Sequence, residues 1–202
     1  MRLFIFDLDG VLVDACEWHK ISLNKALKEI CDYEISDEDH EKVFNGIPTK
    51  VKLKILNDLG YVKQEDYEKI SNLKQVYTIE TIEQNAHKRQ EKIDLLKLLK
   101  NNNKIICCYT NSIKKTAHLM LEKTGIKEYF DLIITNEDVN NPKPSPEGYL
   151  KCMEKYGIDN SLTVIVEDSE KGIEAAKMSG ANVVIVKNQD EVNTELLEEY
   201  IK

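Results

Sequence analysis

The stretch LFIFDLDGVLVD, residues 3–14, sets Asp7 and Asp9 directly behind four large apolar side chains and just ahead of Gly10. A run that is apolar at every position, rather than at alternate ones, reads as a strand covered on both faces. That is the pattern of a parallel sheet between helical layers. Runs of the same kind recur at Lys104–Tyr109, Leu132–Thr135, Leu162–Val166 and Asn182–Val186. Helical periodicity fills the gaps between the later runs, at Ile113–Lys123, Pro146–Tyr156 and Glu170–Met178. Gly125, Gly157 and Gly180 follow these helices where a left-handed C-terminal cap is expected. Alternating strands and helices with right-handed crossovers predict an α/β fold: a doubly wound, Rossmann-like, mostly parallel sheet whose strands end around one crevice.

The first connection breaks the alternation. Between Asp14 and about Asn103 no strand signal occurs, whereas Glu17–Ile30, Asp37–Phe44, Thr49–Leu59 and Gln64–Ile82 have amphipathic helical period. Breaks at Asn45-Gly46-Ile47-Pro48 and at Gly60 divide this insert. The expectation is a small α-helical cap domain over the crevice, residues 16–86, set into a Rossmann-like core of residues 1–15 and 87–202. Val11–Asp14 would be the hinge between them, and Asp14 with Glu17 would form a capping box on the first cap helix.

At 202 residues the chain can bury a substantial core, and no low-complexity tract interrupts it. A net charge of −8 argues against a general nucleic-acid binder. No apolar run approaches the roughly 18 residues of a membrane span, and acidic residues arrive too early for a secretory leader. A cytoplasmic protein that engages neither membrane nor nucleic acid is expected; oligomeric state is not read from the sequence, with a monomer as the default. The five cysteines form no CxxC pair, so they read as buried thiols rather than a disulfide framework or zinc site.

Each candidate motif has a plain structural explanation when taken alone. Asp7-Leu8-Asp9-Gly10 suits a turn, and Asp168 or Ser169 suits a helix cap. Position changes the weighing, because both acidic pairs, Asp7/Asp9 and Glu167/Asp168, follow a buried strand at the edge where α/β sheets bind ligands. Carboxylates so close repel unless a cation lies among them, and a hard, oxygen-rich set suits Mg²⁺. Thr110 and Asn111 end another strand, where a hydroxyl and free N–H groups suit a phosphate oxygen. Lys143 lies between Pro142 and Pro144, which restrict its loop.

In this order, Asp-x-Asp, Thr, Lys and Glu-Asp, the sequence resembles the haloacid dehalogenase-like superfamily, in its phosphatase branch with a helical cap between the first two motifs. The resemblance spans essentially the whole chain. It implies a nucleophilic Asp7 that takes up a phosphoryl group, and an Asp9 that serves as general acid and then base. It implies phosphate contacts from Thr110, Asn111 and Lys143. It also implies Mg²⁺ held by Asp7, the Asp9 carbonyl and Asp168, with Glu167 adjacent. The substrate would be a small phosphorylated metabolite, such as a sugar phosphate. Dehalogenases of the superfamily lack the second aspartate, so Asp9 favours phosphate chemistry. Sugar phosphomutases use a cap arginine where this chain has Thr49, and the only arginines are Arg2 and Arg89. Phosphomutase and a catalytically silent binding protein are the alternatives. His19, Asn45, Thr49, Lys74 and Tyr77 are the cap candidates for substrate contact.

Overall fold

The computed structural model describes residues 2–44 and 47–201. The chain forms two compact units, Met1–Asp14 with Ala86–Lys202, and Ala15–Asn85. Asn45, among the expected substrate contacts, lies outside the described residues.

The first unit is built on five parallel strands, β1 Leu3–Phe6, β2 Ile105–Tyr109, β3 Leu132–Ile134, β4 Thr163–Glu167 and β5 Asn182–Ile185, in the order β3-β2-β1-β4-β5. β1 is central, paired in register with β2 (Ile5 opposite Cys107) and with β4 (Ile5 opposite Ile165). Leu3, Phe4, Ile5 and Phe6 are wholly buried, which is why the run does not alternate. All strands start from one edge of the sheet, so the residues just past β1, β2 and β4 emerge side by side.

In chain order the helices are α1 Cys16–Cys31, α2 Asp37–Asp39 running into a π-helical turn at His40–Phe44, α3 Thr49–Asp58 and α4 Tyr67–Asn85 in the second unit. In the first unit they are α5 Gln90–Asn101, α6 Lys114–Lys123, α7 Glu147–Tyr156, α8 Glu170–Met178 and α9 Glu198–Ile201. Helix α5 and the C-terminal stretch after β5 escaped the sequence reading. The buried Lys92 of α5 joins the two by donating to the carbonyls of Gln189 and Val192. Gly157 ends α7 in the left-handed region (φ 62°), as the periodicity predicts.

Two local expectations are corrected. Ala15, not Asp14, occupies the N-cap of α1, and no side chain caps that helix. Val11, Leu12 and Val13 are buried (0, 2 and 3% exposed); Leu12 and Val13 N–H donate to the Leu8 carbonyl and Gly10 N–H to that of Val13, so all three belong to the first unit's core and leave only Asp14 at its edge. Of the cysteines, Cys107, Cys108 and Cys152 are buried, while Cys16 and Cys31 are half-exposed; all five are free.

The helical unit has its own apolar core, with Leu23, Leu27, Phe44, Leu53, Leu56 and Ile70 at its centre. Beside it His40, only 7% exposed, meets Asn24 Oδ1 at 3.2 Å, which requires the proton on Nε2. Burial, then the charges of Lys52 and Lys20, depress its pKa to about 4, against the weaker pull of Asp37 and Glu17. The unfolded chain therefore binds the extra proton between about pH 6.5 and 4, and stability contributed by neutral His40 is lost as pH falls through that window. The expected loss approaches about 3 kcal/mol at pH 4. Trp18 of α1 is the sole tryptophan and reports on this unit. Urea midpoints followed by its fluorescence should fall more steeply from pH 6.5 to 4 in the wild type than in His40→Gln; equal slopes would refute the assignment.

Candidate active site

Hydrogen bonds that continue the sheet place the functional side chains. Asp7 N–H donates to the Val166 carbonyl (3.0 Å), and Thr110 N–H to that of Ile134 (3.0 Å). Asp7 and Thr110 thus stand one step past β1 and β2, beside Glu167 at the end of β4. After Asp7 the chain turns through Gly10 at φ +88°. A Cβ there would lie 2.1 Å from Asp168 Oδ2, so glycine is required both by the turn and by the approach of that carboxylate.

Lys143 is the hub. Only 4% exposed, its Nζ lies 2.5 Å from Asp7 Oδ1, 2.5 Å from Glu167 Oε1 and 2.9 Å from the Tyr109 carbonyl. Burial alone would lower its pKa, but the carboxylates of Asp7 and Glu167 hold it well above the usual lysine range. The ammonium form is favoured by that pairing. Its loop is clamped from the neighbouring one, since Asn111 Oδ1 accepts from Lys143 N–H (3.0 Å) and Asn111 Nδ2 donates to the Lys143 carbonyl (3.3 Å).

Glu167 is fully buried and both its oxygens are engaged. Oε1 accepts from Lys143 and from the Tyr149 hydroxyl (2.7 Å), and Oε2 from the N–H groups of Asp168 (3.0 Å) and Ser169 (3.3 Å). The carboxylate anchors the lysine and the turn into α8. Gly172 makes room for it: a Cβ there would fall 1.9 Å from Oε1. Gly172→Ala should gain about 1 kcal/mol of helix propensity yet lose more to this clash. A net destabilisation of about 2 kcal/mol is expected, and a thermal midpoint at or above that of the wild type would contradict it.

Asp9 Oδ2 accepts from the hydroxyls of Thr110 (3.1 Å) and Ser112 (2.9 Å), and Thr110 Oγ1 accepts from Ser112 N–H (3.0 Å). The hydroxyl expected on phosphate is here engaged with Asp9. Ser112, Tyr109 and Tyr149 were not found by sequence reasoning. For Tyr109 the glycine at 148, in the first turn of α7, was the available signal, because a glycine inside a helix marks a close approach.

The structure brings together the carboxylates that a metal would need. Asp7, Glu167 and Asp168 each offer an oxygen within 4.8 Å of the others. Against the single lysine they leave a formal charge of −3 + 1 = −2, which one divalent cation would cancel. Burial, then Glu167, Asp9 and an opposing Lys143, push Asp168 up to about 7, and burial likewise raises Asp7 well above the carboxylate range. Asp168 Oδ1 is buried with no hydrogen-bond partner among the described residues. An orphaned acceptor in an oxygen-rich, over-charged cluster fits a hard cation such as Mg²⁺.

The cap candidates lie in the helical unit. His19 Nδ1 and the buried Lys74 Nζ are 3.2 Å apart, Tyr77 donates to Glu29 (2.5 Å), and Thr49 opens α3. The arginines are both in the other unit, Arg2 on the Tyr200 carbonyl and Arg89 between Glu91 and Asp190.

Residues 4–186 match the model of the haloacid dehalogenase-like hydrolase family. Among curated proteins the chain is 28% identical to a phosphorylated carbohydrates phosphatase of Thermotoga maritima, over 89% of this chain and 82% of that one. It is 27% identical to a phosphoglycolate phosphatase of Aquifex aeolicus, over 92% and 84%. A crystal structure of β-phosphoglucomutase from Clostridium difficile shares the fold, with a TM-score of 0.84 at 22% identity over 100% of this chain and 97% of the other. Site and sequence agree: the chain belongs to the haloacid dehalogenase-like hydrolase family, on the side its curated relatives represent, the phosphatases.

Proposed function

We propose that this protein is a Mg²⁺-dependent phosphatase that hydrolyses a small phosphomonoester, a sugar phosphate in the first instance, through an aspartyl phosphate on Asp7. The observation that carries the reading is the buried Lys143–Asp7 contact with Asp9 two residues on, its carboxylate held by Thr110 and Ser112. Lys143 binds Asp7 Oδ1, so the other oxygen is the one that attacks phosphorus. Asp9 gives its proton to the ester oxygen as the P–O bond breaks. It then takes a proton from the water that hydrolyses the acyl phosphate, and Asp7 is regenerated. Thr110, the Asn111 N–H and Lys143 hold the phosphoryl oxygens. Asp7, Asp168 and the Asp9 carbonyl would hold Mg²⁺, which would supply charge neutralisation at the phosphoryl group.

The choice of ester is assigned to the helical unit, through His19, Thr49, Lys74 and Tyr77. Hydrolysis is favoured over mutase chemistry because neither arginine is available to grip a second phosphate: both stand in the first unit with partners of their own. A lysine in that place lacks the bidentate fork. The relative that acts on phosphorylated carbohydrates supports sugar phosphates as the first panel to try. Phosphate release from a panel of sugar phosphates and short phosphorylated acids, with Mg²⁺ and with chelator, is the test. Release from none of them, or release indifferent to chelation, would sink the proposal.

A further inference from the structure

The Lys143 ammonium sits in a cage whose aromatic walls the reaction scheme does not use. Its three protons match three oxygen acceptors, on Asp7, Glu167 and the Tyr109 backbone. The ring of Tyr109 lies 4.8 Å from Nζ and that of Tyr149 5.3 Å, so two π faces close part of the remaining space. The rings meet each other edge to face, at 4.9 Å and 87°, and both are wholly buried. Both helices that flank the cage give up a side chain to it. A Cβ on Gly148 would lie 2.3 Å from the Tyr109 ring, and one on Gly172 1.9 Å from Glu167 Oε1. Tyr149 adds a further directional contact, its hydroxyl donating to the same Glu167 oxygen that Lys143 touches.

We propose that Tyr149 is a positioning residue for phosphoryl transfer, sharing Glu167 Oε1 with Lys143 so that the ammonium remains on Asp7. An oxygen that accepts from two donors holds each less strongly than it would hold one. Without the Tyr149 hydroxyl, Oε1 becomes a stronger acceptor for Lys143 alone, and its carboxylate loses the bond that fixes its orientation from the α7 side. The lysine is then drawn toward Glu167 and away from the nucleophile, where its charge is needed as the phosphoryl group arrives. The kinetic consequence rests on the phosphatase reading, whereas the cage does not.

Tyr149→Phe is the discriminating variant, because it keeps the ring and its packing and removes only the donor. In steady-state phosphate release kcat should fall about tenfold, the scale of one hydrogen bond to a charged group. KM and the Mg²⁺ half-saturation should stay within about twofold, the signature of an interaction that matters in the transition state. Tyr156→Phe, the same change at the far end of α7, should leave all three unchanged. The ¹⁵N signal of the Lys143 ammonium, identified by its loss in Lys143→Met, should shift in Tyr149→Phe and not in Tyr156→Phe. An active enzyme whose kcat is untouched by Tyr149→Phe, or in which Tyr156→Phe costs as much, overturns the positioning role and leaves the hydrolase reading standing. If the wild type hydrolyses nothing, that reading fails instead, and an unmoved Lys143 signal then overturns the cage on its own.

Discussion

Asp7→Asn should reduce Mg²⁺-dependent phosphate release by at least about three orders of magnitude on every ester that the wild type accepts, because the amide is no nucleophile and no neighbouring group can replace it. Asp9 is next in sequence among the carboxylates, but its Oδ2 is turned to Thr110 and Ser112. Asp168 lacks a hydrogen bond to Lys143, which bonds Asp7 and Glu167. The substitution is nearly isosteric, and removing one of three clustered carboxylates relieves repulsion at a site where burial already disfavours the charge. The folded variant should therefore be at least as stable as the wild type to urea. Stopped phosphate release with an unchanged or higher urea midpoint is the expected pair of results. Retained turnover would remove Asp7 from the mechanism.

Lys143→Met should do the opposite to stability while also stopping turnover. Methionine fills similar volume but leaves Asp7 and Glu167, both buried, without their shared cation. Removing one partner of a buried charge network costs about 3 kcal/mol or more. The sign with pH follows from the carboxyls. Burial, together with Glu167 and Asp168, already raises Asp7, and loss of Lys143 removes the effect that opposed this. In the variant the folded state binds protons that the unfolded chain releases, so its stability rises as pH falls from 8 to 5. The gap from the wild type should be widest at pH 8 and narrow toward pH 5, as read from urea midpoints at each pH. A gap that does not change with pH would mean that Lys143 stabilises by packing alone.

How much of this was legible beforehand follows from what each feature depends on. β1 was readable to the residue, because a strand buried on both faces must be apolar throughout, and its end is marked by the first charge at Asp7. The placement of Asp7, Thr110 and Glu167 near one another followed from parallel strands that end on one edge, whereas Lys143, in the loop before α7, was placed with them only by the family resemblance. Helix α5 was not separated from the insert because QEKIDLLKLLK continues its helical period with no strand between them. The Asp14 cap failed because a capping box is a local signal, and here the chain remains packed with the first unit through Val13.

The sequence by itself determined the layer architecture, the order of the strands' chemical ends and the identity of the acids and lysine that gather there. The architecture and the acids follow from periodicity and from charge standing where burial is costly; the lysine was added by the family resemblance. Only the tertiary structure decided which of those groups touch. Glu167 turned out to hold Lys143 and its own turn, Thr110 to hold Asp9, and Tyr109 and Tyr149 to wall the lysine in, with Gly148 and Gly172 making the space. Lys143 stands 24 positions from Glu167 and 136 from Asp7, and Thr110 stands 101 from Asp9; no periodicity records which hydrogen bond a buried oxygen will accept when several donors reach it.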